Sequence, residues 1–424
     1  MGLTAEERAA VEAVDEDSVL ADLTALVAIP SVDGTDGEHD AQAWCSARLS
    51  ELGLEVDHWP LDVRGLAEDP DFPGMEVPRT RASGCVGVLP AHVPAPGAQP
   101  ALVFNGHVDV VPTGPIESWP GGDPFAVRAA DGSVWGRGTC DMKAGIAAVL
   151  GAVAAVRASG AHLRRSLAVH TVIGEEDGGL GTFATLRRGH RGDACVIAEP
   201  TAGAIIPANA GALTFRLEIT GRATHGSTRT RGLSAVDKLY VITQALRDLE
   251  RARNERVDRR FAHLDLAWPL SIGIVRAGDW ASTVPDRLVA DGRFGVMAGE
   301  SLNAARVAFE TAVADAGYDD PWLAEHPVVV TWPGGAFASG SLPDGHPLLG
   351  DVSLAVADLT GTSPDVHGAP YGSDLRQYAA AGVPCVQYGP GDVRFAHATD
   401  EHVEITDVMR CARVYALLAL RLCR

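Results

Sequence analysis

Residues 101–111 read ALVFNGHVDVV, a short apolar run with a histidine and an aspartate near its end. Comparable runs return at 166–176 (SLAVHTVIGEE) and at 194–201 (ACVIAEPT), and the helix-like segments 142–160 and 181–189 separate them. This alternation predicts an α/β fold, in which a mostly parallel sheet carries helices on its faces. Ligands of such sheets bind beyond the carboxyl ends of the strands. We therefore expect a functional site where these apolar runs end.

The pattern changes near residue 208, which indicates a second domain. ALTFRLEITGRA (212–223) alternates like a half-buried strand, and helix-like and strand-like runs follow it up to HPVVVTW (326–332). Beyond residue 337 the first pattern resumes. The sequence thus predicts one domain formed by 1–207 and 338–424, interrupted by an inserted α+β domain at 208–337.

The composition argues against several classes of partner. Lys and Arg number 35 against 55 Asp and Glu, a formal charge of -20, which disfavours binding to nucleic acid or to an anionic membrane. We expect no stretch with the roughly 20 apolar residues that a membrane span needs, and the amphipathic N-terminal segment has no signal-peptide core. The seven cysteines are odd in number and form no C-x-x-C pair, so a reduced, cytoplasmic protein is expected. The segment 68–100, rich in Pro and Gly, is predicted to be a surface loop or hairpin.

His107 and Asp109 stand two residues apart, so on a strand they share one face. A histidine can bind a metal through one nitrogen while a carboxylate holds the other N–H, but such a pair can equally serve stability alone. Asp141 follows the glycine-rich turn of VWGRGTCDMKAG and precedes a long alanine-rich helix, where it can ligate a metal or cap the helix. Cys140 lacks the pattern of a cysteine hydrolase and is expected to be a buried packing residue.

Glu175 and Glu176 are adjacent in IGEEDGG, where an apolar run ends in a glycine turn. Like charges this close raise the pKa of one carboxyl unless a cation intervenes. A divalent metal would bind one carboxylate and leave its neighbour beside the attacking water, which predicts Glu176 as ligand and Glu175 as general base. Two solvated loop glutamates next to Asp177 are the plainer alternative.

Two further candidates complete a metal site. Glu199 in VIAEPT can be a ligand or a solvated strand-end carboxylate, and His397 follows a glycine-rich segment, with His402 as a competitor at the charged start of a helix. The candidates fit a two-zinc hydrolytic site in which Asp141 bridges the ions. One zinc is expected on His107, Asp141 and Glu199, and the other on Asp141, Glu176 and His397. Co or Mn would accept the same donors.

The motifs GHVDVVP, WGRGTCDMKAG, IGEEDGG, AEPT, GRATHGS and FAHATDE occur in this order over nearly the whole chain. Together they resemble metallopeptidase family M20, the group of acetylornithine deacetylases, succinyl-diaminopimelate desuccinylases, aminoacylases and carboxypeptidase G2. The resemblance implies a two-zinc exopeptidase-like α/β domain interrupted by a ferredoxin-like dimerisation or lid domain, and hence a homodimer formed through 208–337. It also implies that Asp141 bridges the metals and that the Asp141–Met142 peptide is cis.

The same resemblance implies roles for three more residues. His225 in GRATHGS matches a histidine that steadies the oxyanion in the partner's active site, Arg293 in VADGRFGV matches an arginine that grips the substrate carboxylate, and Arg376 in GSDLR is a second candidate for that contact. His225 and Arg293 can also be ordinary turn and strand residues. Thr283 stands where many members carry Asn and Ala144 where Gly is usual, which leaves the substrate subtype open.

The predicted enzyme is a metal-dependent amidohydrolase that cleaves a small N-acyl amino acid or dipeptide bearing a free carboxylate, as acetylornithine deacetylases and succinyl-diaminopimelate desuccinylases do. Glu175 takes a proton from the attacking water and returns it to the amine, while His225 steadies the oxyanion and Arg293 holds the carboxylate. A dipeptidase or carboxypeptidase, a carbamoylase and a formyl-amide deformylase are alternatives on the same framework. An inactive relative that only binds a small ligand would be expected to have lost a ligand or the base.

Overall fold

The computed structural model describes residues 2–93 and 97–424, which form two compact units. The first unit comprises the chain up to Pro207 together with Ser341–His367 and Asp374–Arg424, and the second comprises Ala208–Gly340 and Gly368–Ser373. The sequence predicted that Gly368–Ser373 belongs to the first domain, but in the structure this segment belongs to the second unit. Its backbone bonds to the second unit through the Ala369 carbonyl, which accepts from the Ala210 N–H at 2.8 Å, a long-range contact that no local pattern marks.

Helices and strands are numbered along the chain. The helices are α1 (Ala5–Glu12), α2 (Glu16–Val27), α3 (Asp36–Glu51), α4 (Val63–Ala67), α5 (Ala144–Ala158), α6 (Leu180–Arg187), α7 (Ala235–Arg253), α8 (Leu302–Asp319), α9 (Pro321–Glu325), α10 (Pro347–Thr360), α11 (Leu375–Ala380) and α12 (Ile405–Leu422). The strands are β1 (Glu55–Pro60), β2 (Ser83–Leu89), β3 (Leu102–His107), β4 (Arg128–Ala130), β5 (Ser133–Trp135), β6 (Leu167–Val172), β7 (Cys195–Ile197), β8 (Ile205–Asn209), β9 (Gly211–Thr220), β10 (Leu270–Ala277), β11 (Arg287–Val296), β12 (Val329–Thr331), β13 (Ala336–Phe337), β14 (Gly340–Ser341), β15 (Val366–Ala369), β16 (Cys385–Gln387) and β17 (His402–Glu404).

The main sheet of the first unit confirms the α/β fold class. Its strands follow the order β1-β2-β6-β3-β7-β16-β8. The central strands β6, β3, β7 and β16 are parallel, whereas β1, β2 and β8 join antiparallel. The sheet is therefore mixed, with a parallel centre whose strands all end at one edge.

One strand of this sheet lies where the sequence predicted a surface loop or hairpin. β2 is buried along Ser83–Gly87 and pairs with β1 and β6. Both of its faces are covered, so it lacks the alternation of a half-buried strand, and the surrounding prolines and glycines conceal it. Residues 94–96 of the expected loop lie outside the described residues.

Helix α5 forms the centre of the first unit's core. Thr139–Ala158 is long and apolar enough to cross a membrane, contrary to the expectation from the sequence, but 89% of that window is buried inside the protein. Its alanines and glycines allow close packing, and α12 packs beside it. The apolar run is thus explained by burial in the core.

The second unit has the βαββαβ order of a ferredoxin-like fold. Its sheet follows the order β10-β11-β9-β12 and is antiparallel. β9 alternates buried and half-buried residues, as its sequence predicted, and Phe215, Phe294 and Phe309 lie in a separate core. Strand β10 forms one edge of this sheet.

Candidate active site

The parallel strands bring distant parts of the chain to one edge of the sheet. β3 ends at His107, which pairs in register with Val172 at the end of β6. Glu175 and Glu176 follow β6 directly, and Glu199 follows β7, the neighbour of β3 on its other side. Adjacent parallel strands thus place three separate motifs at one edge, as the sequence predicted.

Asp141 joins two groups of potential ligands. Its Oδ1 lies 3.1 Å from His107 Nε2, and its Oδ2 lies 3.5 Å from His397 Nε2. His107 Nε2 is also 3.9 Å from Glu199 Oε2, and His397 Nε2 is 3.0 Å from Glu176 Oε1. Each carboxylate oxygen of Asp141 therefore faces a different histidine, the arrangement that a bridging ligand requires.

The two groups fit a pair of metal ions. Within His107, Asp141 and Glu199, and again within Asp141, Glu176 and His397, one candidate ligand atom from each residue lies within 4.8 Å of the others. Imidazole nitrogens and carboxylate oxygens are donors that zinc accepts. The structure brings His397 to the site but not His402, whose ring stacks on Trp135 at 4.2 Å.

The backbone around the ligands is unusual at two places. The Asp141–Met142 peptide is cis, as the resemblance implied. His397 has φ of +64°, a left-handed conformation that costs free energy for a residue other than glycine. Left-handed residues of this kind persist where the surrounding structure holds them, and they are concentrated at functional sites.

The contact predicted between Asp109 and His107 takes a different form. His107 Nδ1 lies 2.9 Å from the backbone carbonyl of Asp109 and 3.7 Å from its Oδ1. The carbonyl can only accept, so Nδ1 carries the proton and Nε2 is left for the metal group. The Asp109 carboxylate instead accepts from the Glu176 N–H at 3.2 Å, and so it links the first motif to the glutamate turn.

Glu175 and Glu176 are not solvated loop residues. Glu175 is 7% exposed and the Glu176 side chain 10%. Glu175 Oε1 is buried and has no hydrogen-bond partner among the described residues. An unsatisfied buried carboxylate oxygen is costly, and it is available to accept a proton.

The charges of the site explain its pKa shifts. Burial disfavours the imidazolium of His107, but the carboxylates of Asp109, Asp141 and Glu199 outweigh this effect and raise its pKa well above the usual range. Hydrogen bonds to Asp141 and Glu176 raise the pKa of His397 to about 11. The carboxylate cluster thus attracts positive charge, and bound metal ions would replace these protons on the histidines.

The pKa values of Glu175 and Glu199 shift in the opposite direction to the pKa of Asp141. Burial and the nearby Glu199 raise the pKa of Glu175 well above its usual range, and burial also raises the pKa of Glu199. Burial alone would raise the pKa of Asp141 too, but its hydrogen bonds to His107 and His397 outweigh this effect and lower the pKa below its usual value.

Two residues that the sequence did not identify hold the bridging aspartate. Glu401 Oε1 accepts hydrogen bonds from the N–H groups of Cys140 (3.0 Å) and Asp141 (3.1 Å). Its Oε2 accepts from Arg137 Nη1 at 2.6 Å, and both side chains are almost fully buried. Arg137 also donates to the His397 carbonyl at 3.3 Å. The available signal was a charged residue inside each of two motifs, Arg137 in WGRGTCDMKAG and Glu401 in FAHATDE.

A third group of carboxylates lies around an arginine. Candidate ligand atoms of Asp33, Glu38 and Asp109 lie within 4.8 Å of one another. The guanidinium of Arg79 bonds Glu38 Oε1 at 2.7 Å and Asp33 Oδ1 at 3.1 Å. Arg79 is therefore the cation of this group.

Arg376, Arg293 and His225 are placed differently from the metal groups. Arg376 is buried and donates to the Gly178 carbonyl at 2.6 Å, so it supports the glutamate turn. In the second unit, Arg293 donates to the Pro370 carbonyl at 3.0 Å and burial lowers its pKa. His225, also in the second unit, is exposed and pairs through its backbone with Thr283. Their contacts with substrate remain predictions.

Several known proteins are similar to this chain over most of its length. The profile described as Peptidase family M20/M25/M40 matches residues 103–421. An N-formyl-4-amino-5-aminomethyl-2-methylpyrimidine deformylase of Bacillus subtilis is 29% identical over 406 residues, 91% of this chain and 89% of that protein. A succinyl-diaminopimelate desuccinylase of Leptothrix cholodnii is 30% identical over 396 residues, 90% and 92% of the two chains. The solved dipeptidase Dug1p of Saccharomyces cerevisiae shares the fold, with a TM-score of 0.76 at 15% identity over 98% of each chain.

Proposed function

Since the chain belongs to peptidase family M20/M25/M40 and is a metal-dependent hydrolase, we propose that it removes the acyl group from a small N-acyl amino acid. The observation that carries the proposal is the pair of ligand groups sharing Asp141, with the buried Glu175 next in sequence to the ligand Glu176. A desuccinylase relative covers nearly the whole chain at 30% identity, which supports an acyl group as the part removed.

The metal centre is proposed to contain two zinc ions in each subunit. His107, Asp141 and Glu199 would hold one ion, and Asp141, Glu176 and His397 the other. Once bound, the ions supply Lewis-acid activation of a water molecule and of the amide carbonyl. Co or Mn can occupy the same mixed nitrogen and oxygen donors.

Glu175 is proposed as the general base. Its buried Oε1 has no competing donor among the described residues, so it accepts the proton of the attacking water. The positive charge that the ligand groups attract favours the ionised carboxylate. Glu175 then delivers this proton to the departing amine, which prevents the amide from re-forming.

His225 is proposed to stabilise the oxyanion. The Ser227 N–H donates to its Nδ1 at 3.2 Å. A backbone N–H can only donate, so the neutral ring carries its proton on Nε2. This leaves Nε2 as a hydrogen-bond donor, which is the group that a developing oxyanion needs.

We propose that His225 acts in the partner's active site within a homodimer. Strand β10 forms an edge of the second unit's sheet and exposes Ile274 and Val275, and Tyr240 on α7 and Trp280 are exposed as well. An open edge strand with apolar side chains is a template for pairing with a second chain. The dimer would form through 208–337.

A second candidate reaction is deformylation of an aminomethylpyrimidine. It is favoured by the Bacillus subtilis relative, whose alignment covers 91% of this chain. The compound in that relative's name has no carboxylate. Arg293 would therefore contribute to binding of N-acyl amino acids but not of this compound.

The test is hydrolysis by the metal-loaded protein of a panel of N-acetyl, N-succinyl, N-formyl and N-carbamoyl amino acids, dipeptides and an N-formyl aminomethylpyrimidine. The proposal expects an N-acyl amino acid as best substrate, with Arg293→Met raising its KM about 10-fold or more. Arg287→Met, an exposed arginine on the same strand, is the matched control. Preference for the formyl pyrimidine, with no effect of Arg293→Met, would replace the first candidate by the second.

We also propose that the protein is cytoplasmic. All seven cysteines lie in the described part of the chain, and each is free and buried. A reduced, cytoplasmic setting is consistent with free thiols.

A further inference from the structure

The turn that carries both glutamates is fastened by a segment far away in sequence. In IGEEDGG, Asp177 is 3% exposed, and its Oδ2 accepts from the Val77 N–H at 2.9 Å and from Arg79 Nη1 at 2.7 Å. The Asp177 carbonyl accepts from the Glu76 N–H at 3.2 Å. Backbone and side chain of Asp177 are thus both bound to residues 76–79.

Arg79 is the centre of this attachment. Its side chain is fully buried. Besides Asp177, it bonds both oxygens of Glu38, with Nε at 2.8 Å from Oε2 and Nη2 at 2.7 Å from Oε1, and Nη2 lies 3.1 Å from Asp33 Oδ1. One guanidinium therefore joins the α3 region, the 74–79 segment and the glutamate turn, in a geometry that uses its planar fork.

The glycines of the turn show how closely the parts fit. A Cβ on Gly174 would lie 2.9 Å from Arg79 Nη2, and one on Gly178 would lie 2.3 Å from the Gly74 carbonyl oxygen. Side chains at these two positions would separate the turn from the 74–79 segment. The residues on either side of Glu175 and Glu176 are therefore in contact with the segment that Arg79 fixes.

The opposite side of the turn is also held. Arg376 Nη2 donates to the Gly178 carbonyl at 2.6 Å, and Gln377 Nε2 donates to the Gly179 carbonyl at 2.7 Å. Arg79 holds one side of the turn, and Arg376 and Gln377 hold the other. A change at Arg79 would leave the turn attached on one side only, so that it would shift relative to Asp141 and His397, which belong to other elements. A displacement of about 1 Å can lower a catalytic rate about 100-fold.

We propose that Arg79 is a positioning residue for catalysis, which sets the Glu175 base and the Glu176 ligand against the rest of the metal centre through Asp177. The inference rests on the proposed roles of these glutamates. The hydrogen bonds of Arg79 go to Asp33, Glu38, Val77 and Asp177 and not to the carboxylate of either glutamate. Its effect on Glu175 and Glu176 therefore passes through the turn.

The test compares Arg79→Lys and Asp177→Asn with Arg187→Lys in the full-length protein. Arg187 makes a similar forked contact with Asp69 and Asp71 but is 41% exposed, so it controls for loss of an arginine fork. We expect both test variants to lower kcat about 10- to 100-fold with KM within about threefold, the usual scale for residues that orient ligands. Arg187→Lys should stay within about twofold of the parent.

Zinc binding gives a second readout that needs no substrate. Competition with a chelator should show that one of the two ions is bound about 10- to 100-fold less tightly in Arg79→Lys and Asp177→Asn, with the other ion unchanged. This result would support the proposal even if no panel substrate is hydrolysed, a failure that would count only against the proposed function. The proposal on Arg79 would be overturned if folded Arg79→Lys and Asp177→Asn proteins bound two ions as tightly as Arg187→Lys and had the same kcat. It would also be overturned if both ions were weakened equally.

Discussion

Glu175 and Glu176 are neighbours of the same chemical type that have different surroundings. Glu176 lies 3.0 Å from His397, whereas Oε1 of the adjacent Glu175 is buried without a partner among the described residues. The two carboxylates thus differ in what surrounds them, although their sequence context is almost identical. This difference underlies the proposed assignment of ligand and base.

Glu175→Gln should abolish turnover while metal binding persists. The amide has nearly the same size but cannot take the water proton, so we expect kcat to fall by at least about 100-fold. Steady-state hydrolysis and elemental analysis of the same sample would check this. The exposed Glu117 supplies the control variant Glu117→Gln, and a rate within threefold of the parent would rule out Glu175 as the base.

Glu176→Ala should instead remove one ion. Truncation leaves Asp141 and His397 as the only members of the second group, so elemental analysis should fall from about two ions per subunit to about one. Glu175→Gln measured in parallel is the matched control, because it should retain both ions. Two ions and a normal rate in Glu176→Ala would contradict the assignment.

At the scale of elements, the site is assembled by charged contacts between segments. Glu401, just before β17, caps the turn that carries Asp141 and binds Arg137, and Arg79 joins three further segments. Carboxylates outnumber arginines around Arg79, which bonds Asp33, Glu38 and Asp177. A carboxylate oxygen of Asp109 also lies within 4.8 Å of those of Asp33 and Glu38. Such an excess of buried acid makes proton uptake part of folding.

The metal-free protein should become less stable as the pH rises from 6 to 9. Burial and the charges of Asp109, Glu176, Asp177 and Glu38 raise the pKa of Asp33 to about 10. The folded state therefore binds a proton that the unfolded state, with its pKa near 3.8, has lost. The contribution of this proton to the free energy of unfolding is fully present below about pH 4 and is lost as the pH rises towards 10.

Asp33→Asn tests this dependence, because the amide keeps its hydrogens at every pH. Thermal unfolding of chelator-treated protein should show a smaller fall in Tm between pH 6 and 9 for Asp33→Asn than for the parent. The exposed Asp36→Asn is the control and should follow the parent. Equal pH dependence in all three proteins would show that Asp33 carries no such proton.

At the scale of the whole molecule, the proposed catalytic residues lie in two units. The metal groups and Glu175 belong to the first unit, and His225 and Arg293 belong to the second. If His225 serves the partner's site, the dimer is the catalytic assembly, and a subunit without a partner lacks its oxyanion donor.

Complementation tests this assembly. Glu175→Gln and His225→Ala subunits should each be inactive alone, the latter by about 100- to 1,000-fold. Co-expressed with different tags, they should regain about a quarter of the parent rate, because random pairing restores one site in half of the dimers. Isolated mixed dimers without regained activity would show that His225 acts within its own subunit or not at all.

The sequence alone predicted the residues that form the two groups of potential metal ligands. The parallel order of strand-like and helix-like runs places His107, Glu175, Glu176 and Glu199 at strand ends. The structure brings His107, Glu176 and Glu199 together with Asp141 and His397. Local patterns suffice here because parallel strands end at one edge of a sheet, so motifs that follow strands must meet. The inserted unit was likewise visible from the alternation in β9.

Only the tertiary structure decided what supports that centre. Strand β2 and the Arg79 segment appear as a Pro- and Gly-rich loop in the sequence, and the return of Gly368–Ser373 to the second unit leaves no local pattern. Arg79, Asp177 and Glu401 have ordinary charged neighbours along the chain, and their roles arise from partners 41 to 264 residues away. The sequence could predict residues whose position depends on strand ends, whereas burial and charge pairing between distant segments are properties of the folded chain.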